Sequence, residues 1–295
     1  GIIAHNTRLG LDEIAEVRAT RDFYEVGRFN PNVRSIIAYN TDSKVIPTLR
    51  SNGVLLAQVV PEGGYVSGQS SMVYTQGDNW EDAAMRLDHC IHMRWPRRIR
   101  YTGWWAQRGR TERDPNYEKG REGIRVYMDA AQAYLKKTEV TQKNLKFEAM
   151  RGLFDGSKRL VVHVSDARSM MDAVRLLKPY GVQLILQGAE ECWRIPDFLK
   201  ENAVSVILTD VHRLPRREDV DIDQPYKTPA LLHAKGIPFA FSQTKMGSWN
   251  ARNLMFQAGQ AVAYGLDKEA ALSAITLETA KILGIADQVG SLEVG

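Results

Sequence analysis

Histidine and aspartate side chains follow short apolar segments at two places in the chain. His163 lies near the end of a β-branched run at residues 159–165, and Asp210 directly follows the run at 204–209, with His212 two positions later. A His at a strand end can take up a proton or bind a metal, and a carboxyl group can transfer a proton or contact a ligand. A hydrogen bond from His163 to a neighbouring loop is the structural alternative. His163 and Asp210 are thus the candidates for acid–base chemistry.

Two further histidines, His89 and His92, have an i, i+3 spacing that can bind a metal on a helix. No carboxylate or third His completes that set in register, so we expect both to be surface histidines. The two cysteines, Cys90 and Cys192, form no CxxC pair. This excludes a disulfide framework and a CxxC zinc or redox motif.

The strand that carries His163 belongs to a repeated unit in the second half of the chain. Residues 159–165, 182–188, 204–209 and 237–242 are short apolar runs, and a segment with helical spacing follows each of them. Strands that are apolar on both faces and alternate with helices predict a parallel sheet whose outer surface is covered by helices.

The first half offers four more strand candidates, at residues 1–6, 34–40, 54–60 and 71–75. Eight strands predict an α/β fold, a closed (β/α)8 TIM barrel of about 250 residues. The excess length lies at about 78–158, which we expect to be a basic, mainly helical insertion. A doubly wound open sheet would require a glycine-rich phosphate loop after its first strand, and the sequence has none there.

Positive charge is concentrated in that insertion. Residues 86–125 contain eleven Lys or Arg against five Asp or Glu, whereas the whole chain has a net charge of +4. Arginines interleaved with Trp and Tyr can bind single-stranded nucleic acid, but no nucleic-acid motif is present, so we do not expect that partner. The arginines are expected to cover the barrel flank or a homo-oligomer interface. The apolar runs are too short to span a bilayer, so no membrane partner is expected.

The two ends of the chain resemble a known family. Gly1-Ile-Ile followed by Leu9-Gly10-Leu11 resembles the first barrel strand of the amidohydrolase superfamily, and residues 253–265, 271–276, 280–284 and 290–295 resemble its closing segments. The chain is thereby identified as a member of the imidazolonepropionase-like branch. The resemblance implies one barrel domain over residues 1–295, without the small β-sandwich that both chain ends build in the family. No targeting segment precedes Gly1 in the given chain, which leaves cytoplasmic and periplasmic locations open.

The resemblance also implies which positions would hold a metal. The family uses two His on strand one, one His on each of strands five and six, and an Asp ending strand eight, and the bound metal activates water. Asn6 and Arg8 occupy the two strand-one positions, and His5 is expected one step out of register, with its side chain on the other face. His163 fits the strand-five position.

The remaining positions depart from the family. Gln187 replaces the His of strand six, and Gln243 or Thr244 stands where the Asp of strand eight is expected. With one imidazole out of five ligands and a permanent charge on Arg8, the site is expected to be degenerate and to hold no metal tightly. Weak zinc binding through His163 is not excluded.

Two classes of function remain open. The first is a hydrolase of amide or cyclic C–N bonds, with His163 as general base and Asp210 as a second catalytic group. The second is a catalytically silent barrel that binds a small anionic ligand or serves in assembly. In either case Asn6, Arg8, Glu62, Gln187, Gln243 and Thr244 are the expected ligand-binding residues. Arg8 requires an acidic partner, which is either Glu62 or a carboxylate ligand.

Overall fold

A computed structural model describes residues 1–14, 16–104, 106–137, 139, 141–243 and 247–293. Within these residues the chain forms strands and α-helices around one large sheet. The strands are β1 (Ile2–Thr7), β2 (Val54–Val59), β3 (Val66–Tyr74), β4 (Ala84–Arg94), β5 (Ile99–Tyr101), β6 (Thr111–Arg113), β7 (Arg159–Val164), β8 (Gln183–Gly188), β9 (Ser205–Thr209) and β10 (Phe239–Ser242).

The helices pack mainly outside that sheet. They are α1 (Val45–Ser51), α2 (Trp80–Ala83), α3 (Tyr117–Leu135), α4 (Leu145–Ala149), α5 (Arg151–Phe154), α6 (Ala167–Leu177), α7 (Pro196–Glu201), α8 (Gln224–Ala234), α9 (Leu254–Ala263), α10 (Lys268–Ser273) and α11 (Leu277–Leu283). Short 3-10 turns occupy Arg18–Thr20, Ser35–Ala38, Lys178–Tyr180, Cys192–Arg194 and Ser248–Asn253. Among the described helices, none has the length and apolar character of a transmembrane segment.

The large sheet has eight strands in the order β1-β2-β3-β4-β7-β8-β9-β10. All neighbours pair in parallel except β3, which is antiparallel to both β2 and β4. The expectation of eight parallel strands is therefore wrong for one strand. The physical reason is the short connection from β2 to β3, because a parallel crossover needs a dozen or more residues.

The sheet curves into an almost closed barrel. At the lower part of the seam between β10 and β1, the Phe241 and Ile3 amides donate to the carbonyl oxygens of Ala274 and Ile275, so this segment bridges the two edge strands. Higher up, Ser242 Oγ donates directly to the His5 carbonyl oxygen over 3.2 Å. These bonds satisfy edge groups that an open sheet would leave unpaired.

The lower half of the barrel lumen is an apolar plug. One buried side chain from each strand contributes to it, namely Ile3, Leu56, Met72, Cys90, Val161, Ile185, Ile207 and Ala240. Residues of α11 and the turn after it pack below this layer and close the amino-terminal end of the lumen. Arg159 Nη1 donates to the carbonyl oxygens of Lys281 and Ile282, and Arg86 Nη1 donates to that of Gly284, which secures this closing segment.

Two of the expected elements are different in the structure. Residues 78–158 are not mainly helical at their start, because they contain the fourth barrel strand, β4, and the β5–β6 hairpin. The segment 34–40 contains no barrel strand; it forms a 3-10 turn at Ser35–Ala38 after a single bridge from Arg34 to Gln69. The other three first-half candidates correspond to β1, to β2 and to part of β3.

Candidate active site

A layer of polar side chains fills the upper half of the lumen. Because side chains alternate along a strand, residues two positions above the apolar plug also face the lumen. On all eight barrel strands this next residue is polar or an imidazole, and we call this set the polar layer: His5, Gln58, Ser70, His92, His163, Gln187, Thr209 and Ser242. The carboxyl ends of the parallel strands open at this side, which is the catalytic face of such barrels.

A chain of hydrogen bonds connects four strands, β7, β4, β3 and β2, within the polar layer. His163 Nε2 lies 3.0 Å from His92 Nδ1, and His92 Nε2 lies 2.8 Å from Ser70 Oγ. Gln58 Nε2 then donates to Ser70 Oγ over 3.0 Å and lies 3.4 Å from the Nε2 atom of His89. A base whose orientation is set by a second group, itself held by a third, is the arrangement that nucleophile activation requires.

Several buried polar atoms in this region have no hydrogen-bond partner among the described residues. They are both ring nitrogens of His5, the Nδ1 atom of His89 and the Oε1 atom of Gln187. The Nε2 atom of Gln187, in contrast, donates to Thr209 Oγ1 over 2.6 Å. A neutral His5 ring has one N–H donor and one acceptor, and Gln187 Oε1 is a further acceptor. Unsatisfied buried polar groups are costly, so these atoms are suited to a small polar molecule that both accepts and donates hydrogen bonds.

Burial keeps these imidazoles neutral. It lowers the pKa of His5 to about 4, against a weaker opposing effect of the Phe241 backbone. It lowers the pKa of His89 to about 3, helped by the charges of Arg86 and Arg159, and that of His163 to about 3, helped by Arg94. For His92 the pKa lies well below its usual value for the same reason. At neutral pH all four rings are therefore uncharged, and each has one nitrogen that can accept a hydrogen bond.

The structure places His163 and Gln187 side by side, as their Cα atoms are paired in the β7–β8 register. The expected register of β1 is wrong, however. His5 is 1% exposed and lies on the lumen face with Ile3, whereas Ala4 packs in the outer core. Asn6 adopts a left-handed backbone (φ 55°), which Asn tolerates, and its N–H donates to Gln58 Oε1. The alternation of side chains in β1 is thus interrupted at Asn6, a position that the resemblance assigned to a metal ligand.

Arg8 lies at the rim, where its charge is compensated internally. Its Nε donates to Glu62 Oε1 over 2.7 Å, its Nη1 lies 3.7 Å from buried Asp12, and its guanidinium stacks on the Phe23 ring at 4.2 Å. Burial acts to lower the pKa of Arg8, but the hydrogen bond and charge of Glu62 outweigh it and raise that pKa. Of the two expected partners, Glu62 is the one the structure supplies.

The residues that follow β9 and β10 lie directly beyond the polar layer, at the carboxyl ends of these strands. The Asp210 side chain is buried, its backbone has φ 50°, and its N–H donates to the Ser242 carbonyl oxygen. Gln243 Oε1 accepts a hydrogen bond from Gln257 on α9, so this side chain is directed toward the helices. Thr244 lies outside the described residues. His212 is exposed, and its N–H donates to Gln257 Oε1.

The positions of His89 and His92 differ from those expected from the sequence. They were expected on a helix surface, yet they lie on β4 and are 6% and 0% exposed. The strand also carries Arg86 and Asp88, and these polar residues conceal the apolar alternation that identifies a strand. The available signal was the i, i+2 spacing of Cys90 and His92, which places both on one face of a strand.

The described residues do not fit a catalytic metal centre of the family type. No group of three or more His, Cys, Asp or Glu side chains within the described ranges can hold a metal ion. His92 and His163 direct nitrogens at each other, and the positions that the resemblance assigns to metal ligands carry Asn6, Arg8 and Gln187 instead of imidazoles. A catalytic zinc usually has three protein ligands, so we derive no catalytic step through a metal.

Comparison with known proteins identifies the fold. No family model and no curated protein sequence matches the chain. It is similar to the crystal structure of an amidohydrolase from Thermotoga maritima, with 22% identity, a TM-score of 0.84, and coverage of 99% of this chain and 78% of that one. It is also similar to a prolidase complexed with N-methylphosphonate-L-proline, with 13% identity, a TM-score of 0.52, and coverage of 100% and 77%. The chain thus has an eight-stranded barrel fold that it shares with a solved amidohydrolase.

Proposed function

We propose that the protein is a hydrolase of amide or cyclic amide C–N bonds, from the imidazolonepropionase-like branch of the amidohydrolase superfamily, with a degenerate metal site. The observation that carries the proposal is the His163–His92–Ser70 chain at the catalytic end of the barrel. The shared fold with an amidohydrolase supports the same reaction class by analogy. The proposal includes residues 1–295 as one (β/α)8-type barrel domain in which β3 is reversed.

His163 acts as the general base. Its Nε2–H donates to His92 Nδ1, and His92 Nε2–H donates to Ser70 Oγ, which leaves the Nδ1 lone pair of His163 free for a water proton. The water oxygen forms a bond to the carbonyl carbon, and the proton goes to His163. The C–N bond then breaks, and the same proton passes to the leaving nitrogen. The products are a carboxylic acid and an amine.

The low pKa of His163, about 3, shapes this step. A neutral ring is available at pH 7, but its protonated form is costly in the buried lumen. The tetrahedral oxyanion forms at the same moment as the imidazolium, so the two opposite charges stabilise each other where little water screens them. His92 accepts the hydrogen bond from the charged ring and keeps it in place.

Other polar groups at the same end of the barrel would hold the substrate. The unpartnered Oε1 atom of Gln187 can accept a hydrogen bond from a substrate N–H. Asp210, which follows β9, is assigned to the leaving group, because it ends a strand two positions from β7 in the sheet order. Asn6 and the Arg8–Glu62 pair belong to the rim.

The test is an assay of hydrolysis with a panel of lactams, cyclic imides and N-acyl amines, in which the released amine or carboxylate is measured. His163→Asn keeps a polar side chain but removes the base, and kcat/KM should fall by about 100-fold or more. His233→Asn, which changes an exposed His on α8, is the matched control and should retain full activity. Undiminished activity of His163→Asn would contradict the mechanism. A folded wild type without turnover on the whole panel would favour the silent barrel that binds a small ligand.

A further inference from the structure

An open pocket lies beside the polar layer, among the loops that follow β7, β8 and β9. Its walls include Ser165 and Asp166 after β7, Trp193 after β8, and Arg213 and Val220 after β9. Ser165 follows β7 and is two residues beyond His163, so the pocket lies next to the proposed base. A molecule bound here can extend one end toward His163.

The acidic side chains of the pocket are all engaged by other groups. Asp166 accepts a hydrogen bond from the Ser169 N–H over 2.9 Å, and Glu191 accepts one from the Ala167 N–H over 3.1 Å, so both cap the first turn of α6. Glu190 forms an ion pair with Arg216, whose Nε lies 2.6 Å from Oε2. These interactions hold the carboxylates in place and leave little capacity for a further cation.

Arg213 is the cation of this pocket that lacks a full set of acceptors. Its side chain is 13% exposed, and its buried Nε has no hydrogen-bond partner among the described residues. The carboxylate oxygen of Glu190 is 3.6 Å from Nη2, beyond hydrogen-bond distance, and is shared with Arg216. Its Nη1 donates to the carbonyl oxygen of Leu214 over 3.2 Å. In contrast, Arg217 in the same loop binds both carboxylate oxygens of Asp219.

A largely buried guanidinium with unfilled donors is best satisfied by a planar anion, because a carboxylate matches its geometry with two parallel bonds. Apolar side chains form another part of the lining, namely Trp193, Pro215, Val220 and Pro225. Such walls stabilise a ligand with an apolar body and would contribute little to a bare inorganic ion.

We propose that this pocket binds the carboxylate of an organic acid through Arg213. Arg213 thereby takes the role that the sequence suggested for Arg8, whose charge is compensated by Glu62.

The binding test uses calorimetry with 3-phenylpropionate as the probe and 3-phenylpropanamide as its uncharged counterpart. We expect wild type to bind the acid at least about tenfold more tightly than the amide, and Arg213→Gln to lose that preference. Arg217→Gln is the matched control from the same loop and should change the affinity for the acid by less than about threefold, since Asp219 already occupies its guanidinium. Arg213→Lys keeps the charge without the planar fork and should bind with intermediate affinity.

Three results would overturn the inference: equal affinity of wild type for acid and amide, equal affinity of wild type and a folded Arg213→Gln variant for the acid, or no binding of the acid at millimolar concentration. Inorganic phosphate bound as tightly as the acid would also refute it, because the apolar walls would then have no role. Turnover is not needed for any of these readouts. If the protein is inactive but binds the acid through Arg213, only the proposed function is refuted. If it is active and Arg213→Gln leaves its affinity for the acid unchanged, only this inference is refuted.

Discussion

Acidification should destabilise the folded protein well above the pH at which carboxyl groups titrate. His5 and His89 are 1% and 6% exposed, and burial lowers their pKa values to about 4 and about 3. In the unfolded chain a His titrates near its ordinary pKa of about 6.5. Below that value these histidines bind protons in the unfolded state but not in the folded state. The free energy of unfolding is therefore highest above about pH 6.5 and falls as the pH decreases toward 4.

The size of the effect follows from the linkage slope. Each such His contributes about 1.4 kcal/mol per pH unit between its folded and unfolded pKa values. From pH 7 to pH 5 this amounts to about 2 kcal/mol per residue, or about 4 kcal/mol for His5 and His89 together. That is a large part of the roughly 5–15 kcal/mol by which domains are stable. His92 and His163, whose pKa values are lowered too, add in the same direction.

The assay is urea unfolding followed by tryptophan fluorescence at pH 7, 6 and 5, with the free energy of unfolding extrapolated to water. His5→Gln removes one titrating group, so its stability should fall less steeply, by about 1.4 kcal/mol per pH unit. His233→Gln changes an exposed His and should retain the wild-type slope. Constant stability from pH 7 to pH 5, or equal slopes for wild type and His5→Gln, would refute the reasoning.

Three further predictions concern the metal, the rim and the barrel floor. Purified, dialysed protein should hold well below one zinc, iron or manganese per chain in elemental analysis; a stoichiometric metal that disappears in His163→Asn would show that the ligand argument is wrong. Arg8→Met should lower the free energy of unfolding by about 1–3 kcal/mol, because Glu62 loses its closest ion-pair partner, and adding Glu62→Gln should cost less than the sum of the single changes in chemical unfolding. Arg159→Ala removes the donor to the Lys281 and Ile282 carbonyl oxygens and should lower the free energy of unfolding by about 1–3 kcal/mol. An unchanged unfolding midpoint would mean that these hydrogen bonds do not stabilise the fold.

The second half of the barrel was predictable because each of its strands is a short apolar run that can be identified from neighbouring residues. The expected runs at 159–165, 182–188, 204–209 and 237–242 correspond to β7, β8, β9 and β10. These strands are apolar on both faces, since one face packs on the lumen plug and the other on helices. Their order along the chain is also their order in the sheet, and this placed His163 beside Gln187.

The first half was less predictable because its strands depend on contacts between distant segments. β4 carries Arg86, Asp88, His89 and His92, and these are tolerated in a strand because the barrel encloses or pairs them. Asp88 pairs with Arg34, 54 residues away, and His92 bonds to Ser70 and His163. No local pattern contains these partners, so the segment resembled part of an insertion.

The residue pattern along the chain was thus sufficient for the strand–helix repeat of the second half and for the choice of His163 as the candidate base, because both depend on residue types at short range. The folded chain was needed to show which histidines meet in the lumen, which acid compensates Arg8, and that Arg213 has donors without acceptors among the described residues. Those outcomes depend on the closure of the barrel, which brings together side chains separated by 22 to 71 residues. Burial then adds what no sequence pattern contains, the large shift of the imidazole pKa values.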